Sequence, residues 1–180
     1  QDDAFITALE MNLFHFSAGK TLAEIQELNK AFRESGNFQE FSKKAEQICG
    51  TFNKTWQKTE YETAVLTAES ASNYHRLMGK TKMFPYWKYV TAGDEKVREE
   101  HRKLDGVILP ANDPRWKKIF PPNGWKCRCR VVPLMKHEVE GIDINAMRAI
   151  VDEYLGTSEW KMNEAQGWDS NRGETAEVFS

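Results

Sequence analysis

Three side chains in the middle of this chain have the right chemistry to hold a metal together. His101 stands in the run Arg98-Glu99-Glu100-His101, and Cys127 and Cys129 flank one arginine in Cys127-Arg128-Cys129. One imidazole and two thiolates are three of the four ligands of a structural zinc site, and Asp105 and His137 are the residues available as a fourth. The same residues also have a plainer reading. Both thiols can serve as small core hydrophobes, with His101 a buried imidazole bonded to a backbone carbonyl or to Asp105. The C-x-C spacing favours that reading, being a weaker metal signal than paired C-x-x-C. Zinc is thus the one cofactor expected, as the alternative to a cofactor-free core.

Acid–base chemistry is the next candidate. Asp94, Arg98 and Asp105 are expected to lie near one another around one helix, as an ion-pair network pinning helix to sheet. As a catalytic cluster they would need His101 as general base and Arg128 or Arg130 as an anion clamp. The chain offers no activated Ser or Cys nucleophile in a recognised context, no phosphate-cradling Gly loop and no H-E-x-x-H. No catalytic residue is therefore assigned, and the chain is read as a non-enzyme.

Charge gives a third chemistry. Residues 76–136 carry fifteen Lys or Arg against six acids, a local +9, and the remaining residues carry −11. Such asymmetry points either to a polyanionic partner or to two parts that neutralise one another in the fold. On the first reading Lys88, Arg115, Lys117, Lys118, Lys126, Arg128 and Arg130 contact nucleic-acid phosphates. Trp87, Trp116 and Trp125, interleaved with these cations, would add a stacking surface; core and turn packing is the commoner role for such rings.

The elements that position these residues follow from periodicity. Phe5, Leu9, Leu13 and Phe16 make one helical stripe. Thr21 and Glu24 form a capping box ahead of a helix lined by Leu22, Ile25, Leu28 and Phe32, which Ser35-Gly36 ends. Asn37 to Glu40 repeats the capping box before Phe38, Phe41, Ala45, Ile48 and Phe52. No Gly or Pro interrupts residues 51–78, so one long helix or two end to end are expected there. Tyr86 to Thr91 is aromatic and β-branched and suits a strand. Asp94 is expected to cap a helix through Leu104, with Val97, His101 and Leu104 on one face. Val107 to Leu109 reads as a second strand, Asp113-Pro114-Arg115-Trp116 as a helical turn, and Lys126 to Pro133 as an alternating strand with Cys127, Cys129 and Val131 on one face. A last helix spans Asp143 to Leu155, with Ile144, Met147, Ile150 and Tyr154 inward, and the chain from Thr157 is expected to be extended.

The fold class is α+β: an N-terminal helical arm or bundle over 1–83, a small antiparallel sheet packed on a central helix over 84–136, and a C-terminal helix and tail over 137–180. Hydrophobic residues at 40% and charged residues at 29% describe a globular chain, not a disordered one. No apolar run approaches the roughly 20 residues that span a bilayer, so no membrane role is expected. Three cysteines, Cys49 among them, do not make a disulfide framework. The chain opens on Gln1 without a secretion signal and reads as a trimmed piece beside which further domains are expected.

The run Asp94-x-x-Val97-Arg98-x-x-His101-x-x-Leu104-Asp105-Gly106 follows an aromatic strand and precedes Pro121-Pro122 and Cys127-Arg128-Cys129. This order resembles the Mu F-like phage head morphogenesis family, as do the upstream Asn53-x-x-Trp56 and the helix from Thr59 to Val65. The resemblance covers roughly residues 5–136. It implies a structural minor capsid protein of a phage or prophage, in the virion and, during assembly, in the bacterial cytoplasm. Its implied partners are the portal or other capsid proteins and phage DNA. Some relatives carry toxin domains, so a nuclease or toxin-like effector using His101, or a zinc-stabilised interaction module, are the alternatives.

Overall fold

The computed structural model describes residues 22–49 and 54–177. The stripe Phe5 to Phe16, Thr21 of the first capping box and Phe52 lie outside them. Helix α1 (Leu22–Arg33) is followed by α2 (Phe38–Cys49). The expected cap at Asn37 is present: its Oδ1 accepts the Glu40 N–H at 3.1 Å, and the Glu40 carboxylate accepts the Gly36 N–H at 2.9 Å. Helix α3 (Lys54–Met78) is one continuous helix of 25 residues, the first of the two alternatives left open by the sequence.

Helix α3 belongs to two cores. Its first half closes on α1 and α2 around Leu28, Ala31, Phe32, Phe41, Ala45, Ala64 and Ala68. Tyr61 is the hub of that cluster, with ring centroids 5.0 Å from Phe32 and 5.5 Å from Phe41. Its second half gives Tyr74 and Leu77 to a larger core shared with the sheet. Along the same stretch Thr63, Thr67 and Ala71 are also small and buried, so the sheet lobe approaches the helix closely there.

Strands β1 (Tyr86–Val90), β2 (Ile108–Pro110) and β3 (Arg130–Leu134) form an antiparallel sheet in the order β2-β1-β3. Trp87 pairs with Leu109, and Tyr89 with Val131, on the buried face. Edge-to-face contacts of Trp87 and Phe120 with Tyr74, at 6.0 and 5.2 Å, join sheet, loop and α3. The rings of Trp87 and Trp116 are therefore core, not a stacking platform, and Trp125 packs on Trp168 at 5.6 Å.

Between the strands lie α4 (Glu99–Arg102) and α5 (Trp116–Ile119). The expected helix from Asp94 to Leu104 contracts to the single turn of α4. Asp94 Oδ1 accepts the Lys96 N–H at 3.1 Å, making a local turn that competes with helix, and Arg98 is extended at ψ 144°. His101 and Leu104 remain buried while Val97, outside the helix, is half-buried. The expected strand from Lys126 begins at Arg130 instead. Val90 is the last residue of β1 and already pairs with Arg130, so Cys127 and Cys129 have no strand to pair with. Lys126 sits at φ 53°, and the N–H groups of Lys126 and Cys127 go to Thr63 Oγ1 and the Gly124 carbonyl.

Helix α6 (Ile144–Leu155) has the expected cap, Asp143 accepting from the N–H groups of Asn145 and Ala146. Its buried residues are Val151 and Tyr154; Ile150, expected inward, is exposed because the helix packs one position further round. The expected extended tail is helical as α7 (Ser158–Ala165) and α8 (Arg172–Glu177). Thr157 caps α7 through the Trp160 N–H at 3.2 Å, and Trp160 and Trp168 bury almost completely, which supplies the apolar anchor a polar tail lacks.

Candidate metal centre

Asn123 organises this region. It is 1% exposed, and its side chain accepts from the Tyr89 hydroxyl at 3.1 Å and donates to the Lys118 carbonyl at 3.2 Å. Its backbone carbonyl lies 3.1 Å from His101 Nε2. A carbonyl only accepts, so Nε2 carries the proton and Nδ1 points away with its lone pair. Nδ1 faces both sulfurs, 3.7 Å from Cys127 Sγ and 3.6 Å from Cys129 Sγ. The three donor atoms all lie within 4.8 Å of one another.

Helix α3 holds the cysteine segment against the histidine. Thr63 Oγ1 takes the Lys126 N–H at 3.1 Å, Asn73 donates to the Val131 carbonyl at 3.0 Å, and Ser70 donates to the Pro121 carbonyl. These positions, at helical spacing, brace the segment on both sides of the two cysteines. Alternation survives without a strand: Cys127 is buried, Arg128 exposed, Cys129 half-buried, Arg130 exposed.

Both cysteines are free thiols. The hydrogen bond from Cys129, outweighing burial, holds the Cys127 thiol well below its ordinary value. The bond to Cys127 and burial together push the Cys129 thiol up. Burial raises the Tyr89 hydroxyl well above its ordinary value, so it remains a donor to Asn123.

The fourth-ligand candidates are elsewhere. Asp105 Oδ1 accepts the N–H and hydroxyl of Thr91 at 2.8 and 3.0 Å, and His137 is exposed in the 3₁₀ turn Lys136–Val139. The expected Asp94–Arg98–Asp105 network does not form either. Asp94 makes a two-pronged pair with Arg128 at 2.7 and 2.8 Å, whose hydrogen bonds bring its carboxyl down to about 2. Arg98 donates to the Trp125 carbonyl at 2.6 Å.

Of the seven cations expected at phosphates, four are in ion pairs. Arg128 is held by Asp94, Arg115 by Asp113 and Asp152, Lys118 by Glu164, and Lys126 by Glu62. Asp152, Glu164 and Glu62 all come from outside the basic segment, so part of its charge is neutralised within the fold. Lys117 and Arg130 are exposed and, with half-buried Lys88, make no ion pair among the described residues. Arg130 and Lys88 stand diagonally on the outer face of the sheet, from the register Val90 to Arg130 and Lys88 to Val132.

Sequence reasoning did not find Asn123, Thr63, Ser70 or Asn73. The Pro121-Pro122-Asn123-Gly124 turn was the one visible signal, and nothing local says that its Asn becomes a buried hub.

A family model described as phage Mu protein F like protein matches residues 24–132, more than half of the chain. The Mu-like prophage FluMu F protein of Haemophilus influenzae is 36% identical over 142 residues, covering 66% of this chain and 34% of that protein. The putative capsid assembly protein F of Escherichia phage Mu is 40% identical over 73 residues, covering 41% of this chain and 17% of that protein. The chain thus spans about a third of the first relative and a sixth of the second. An uncharacterised protein of Methanocaldococcus jannaschii is 49% identical over 47 residues, covering 26% of this chain and 7% of that protein. No solved structure matches this chain.

Proposed function

We propose that this chain, which belongs to the phage Mu protein F-like family, is the core of a minor head protein that works in capsid assembly by protein contacts and not by catalysis. The family match itself carries the reading, because it runs through α1, α2, α3 and the sheet lobe as one unit. Its relatives are named as a prophage F protein and a capsid assembly protein. On this reading the partners are the portal and other capsid proteins, and the protein resides in the virion after assembly in the host cytoplasm. No helix among the described residues is long and apolar enough to cross a membrane.

The interior supports a structural role over an effector role. His101 is spent on the Asn123 carbonyl and two sulfurs, Arg128 on Asp94, and Asp105 on Thr91. A hydrolytic site needs a base with a path to substrate and something to stabilise developing charge. Here the base is 2% exposed, and Arg128, one of the two expected anion clamps, is already paired with Asp94.

The test is genetic. Deleting the gene from an inducible prophage should leave cell lysis intact and yield defective or empty heads, restored by the gene in trans. Normal infectious particles from the deletion would overturn the proposal.

A further inference from the structure

We propose that His101, Cys127 and Cys129 bind one Zn²⁺ ion, through Nδ1 and two thiolates, with a single water completing the tetrahedron. The site stands independently of the capsid reading, since it rests on atoms and not on the family.

The edges of the cluster have the required length. Zinc bonds to nitrogen and sulfur are about 2.0 and 2.3 Å, so neighbouring N and S ligands of a tetrahedral ion stand about 3.5 Å apart. The two Nδ1 to Sγ distances are 3.7 and 3.6 Å. Both N–S edges therefore already match, and the third edge, between the sulfurs, is within 4.8 Å where an ion needs about 3.8 Å.

The protonation pattern also suits a cation. Ligating histidines donate their other ring N–H to a carbonyl or carboxylate, which fixes the tautomer and aims the lone pair. Here the Asn123 carbonyl receives Nε2–H, and Asn123 is itself held on both sides by Tyr89 and Lys118. Two thiolates neutralise a divalent ion, so its burial leaves no net charge uncompensated. Two sulfurs and an imidazole select zinc over magnesium or calcium, which prefer oxygen.

The fourth position opens on a cavity of about 20 Å³ lined by Ala92, Lys96, Val97, Arg98, Lys126 and Arg128. A cavity of about 10–15 Å³ is enough for one water. No carboxylate lines it, and the cations would hold a water or hydroxide oxygen. Bound there, the ion acts as a clip joining the α4 turn to the segment leading into β3.

The test uses the full chain as purified, then stripped with chelator and titrated with Zn²⁺ and Co²⁺. We expect one zinc per chain by elemental analysis and a higher melting temperature with metal than without. Co²⁺ should give tetrahedral visible bands together with sulfur-to-metal charge transfer of two-thiolate intensity. Cys129→Ser should lose metal while His137→Ala keeps it. No zinc in the stripped and titrated wild-type chain overturns the proposal. So does zinc retained by the Cys127→Ser/Cys129→Ser double variant. If the variants do not fold, the wild-type Co²⁺ spectrum still decides, because octahedral bands without charge transfer exclude two thiolates.

Discussion

The Nε2 of His101 and the backbone carbonyl of Asn123 stand 3.1 Å apart, and this one hydrogen bond sets the chemistry of everything around it. It commits the proton to Nε2 and leaves Nδ1 bare toward two sulfurs. Its own position depends on Tyr89, whose hydroxyl fixes the Asn123 side chain. Replacing Tyr89 by Phe leaves a buried Asn123 oxygen unpaired, which should cost about 1–3 kcal/mol in denaturant unfolding. A variant as stable as the wild type would show that Asn123 is held by other means.

A second dependence is on acid. The Asp113 side chain is 1% exposed and takes Arg148 at 2.8 Å and Arg115 at 3.1 Å. Burial pushes its carboxyl up, but the bonds from Arg148 and Arg115 outweigh it and the net shift is downward. A depressed carboxylate contributes stability that is present above its unfolded pKa, near 3.9. That contribution is lost as pH falls through the lower folded value. Melting temperature should therefore fall as pH drops below about 4, and Asp113→Asn should flatten that fall while costing about 3 kcal/mol at neutral pH. An unchanged acid profile in the variant would exclude this group as its source.

Gly173 tests the docking of the C-terminal helix on α3. A Cβ there would stand 2.5 Å from Tyr74 Cδ1 and 2.8 Å from its Cβ, and Tyr74 is locked in the aromatic core. Gly173→Ala should destabilise by about 1–3 kcal/mol through overpacking. If thermal unfolding shows no loss, α8 does not pack on α3 in solution.

For the expected DNA contact, the cations to test are those outside the ion-pair network, Lys88, Lys117 and Arg130. Weak, sequence-independent binding should fall with a log–log salt slope of about −0.9 per phosphate neutralised. Lys88→Glu with Lys117→Glu and Arg130→Glu should remove it. Reversing Arg115 instead would confuse binding with folding, because Arg115 bridges Asp113 and Asp152. Absence of binding near 50 mM salt would leave the segment's charge as a matter of internal neutralisation alone.

The contribution of the sequence and that of the tertiary structure divide along a physical line. Local signals carried the helices and strands: the Asn37 and Asp143 caps, the helical character of residues 54–78, the aromatic strand β1 and the α+β class follow from interactions a few residues long. The His101–Cys127–Cys129 trio was visible as residue types, and the linear order of motifs was enough to indicate the family. Local competition misled the reading where two short-range preferences opposed each other. At Asp94 an Asx turn displaced the helix cap, and at Lys126 a left-handed residue displaced the strand. Nothing local could show that Thr63, Ser70 and Asn73 brace a segment more than fifty residues away, or that Asp152 and Glu164 claim cations expected at DNA. Those pairings exist only once the two cores close on α3, because their energy comes from burial and charge proximity that the extended chain does not possess.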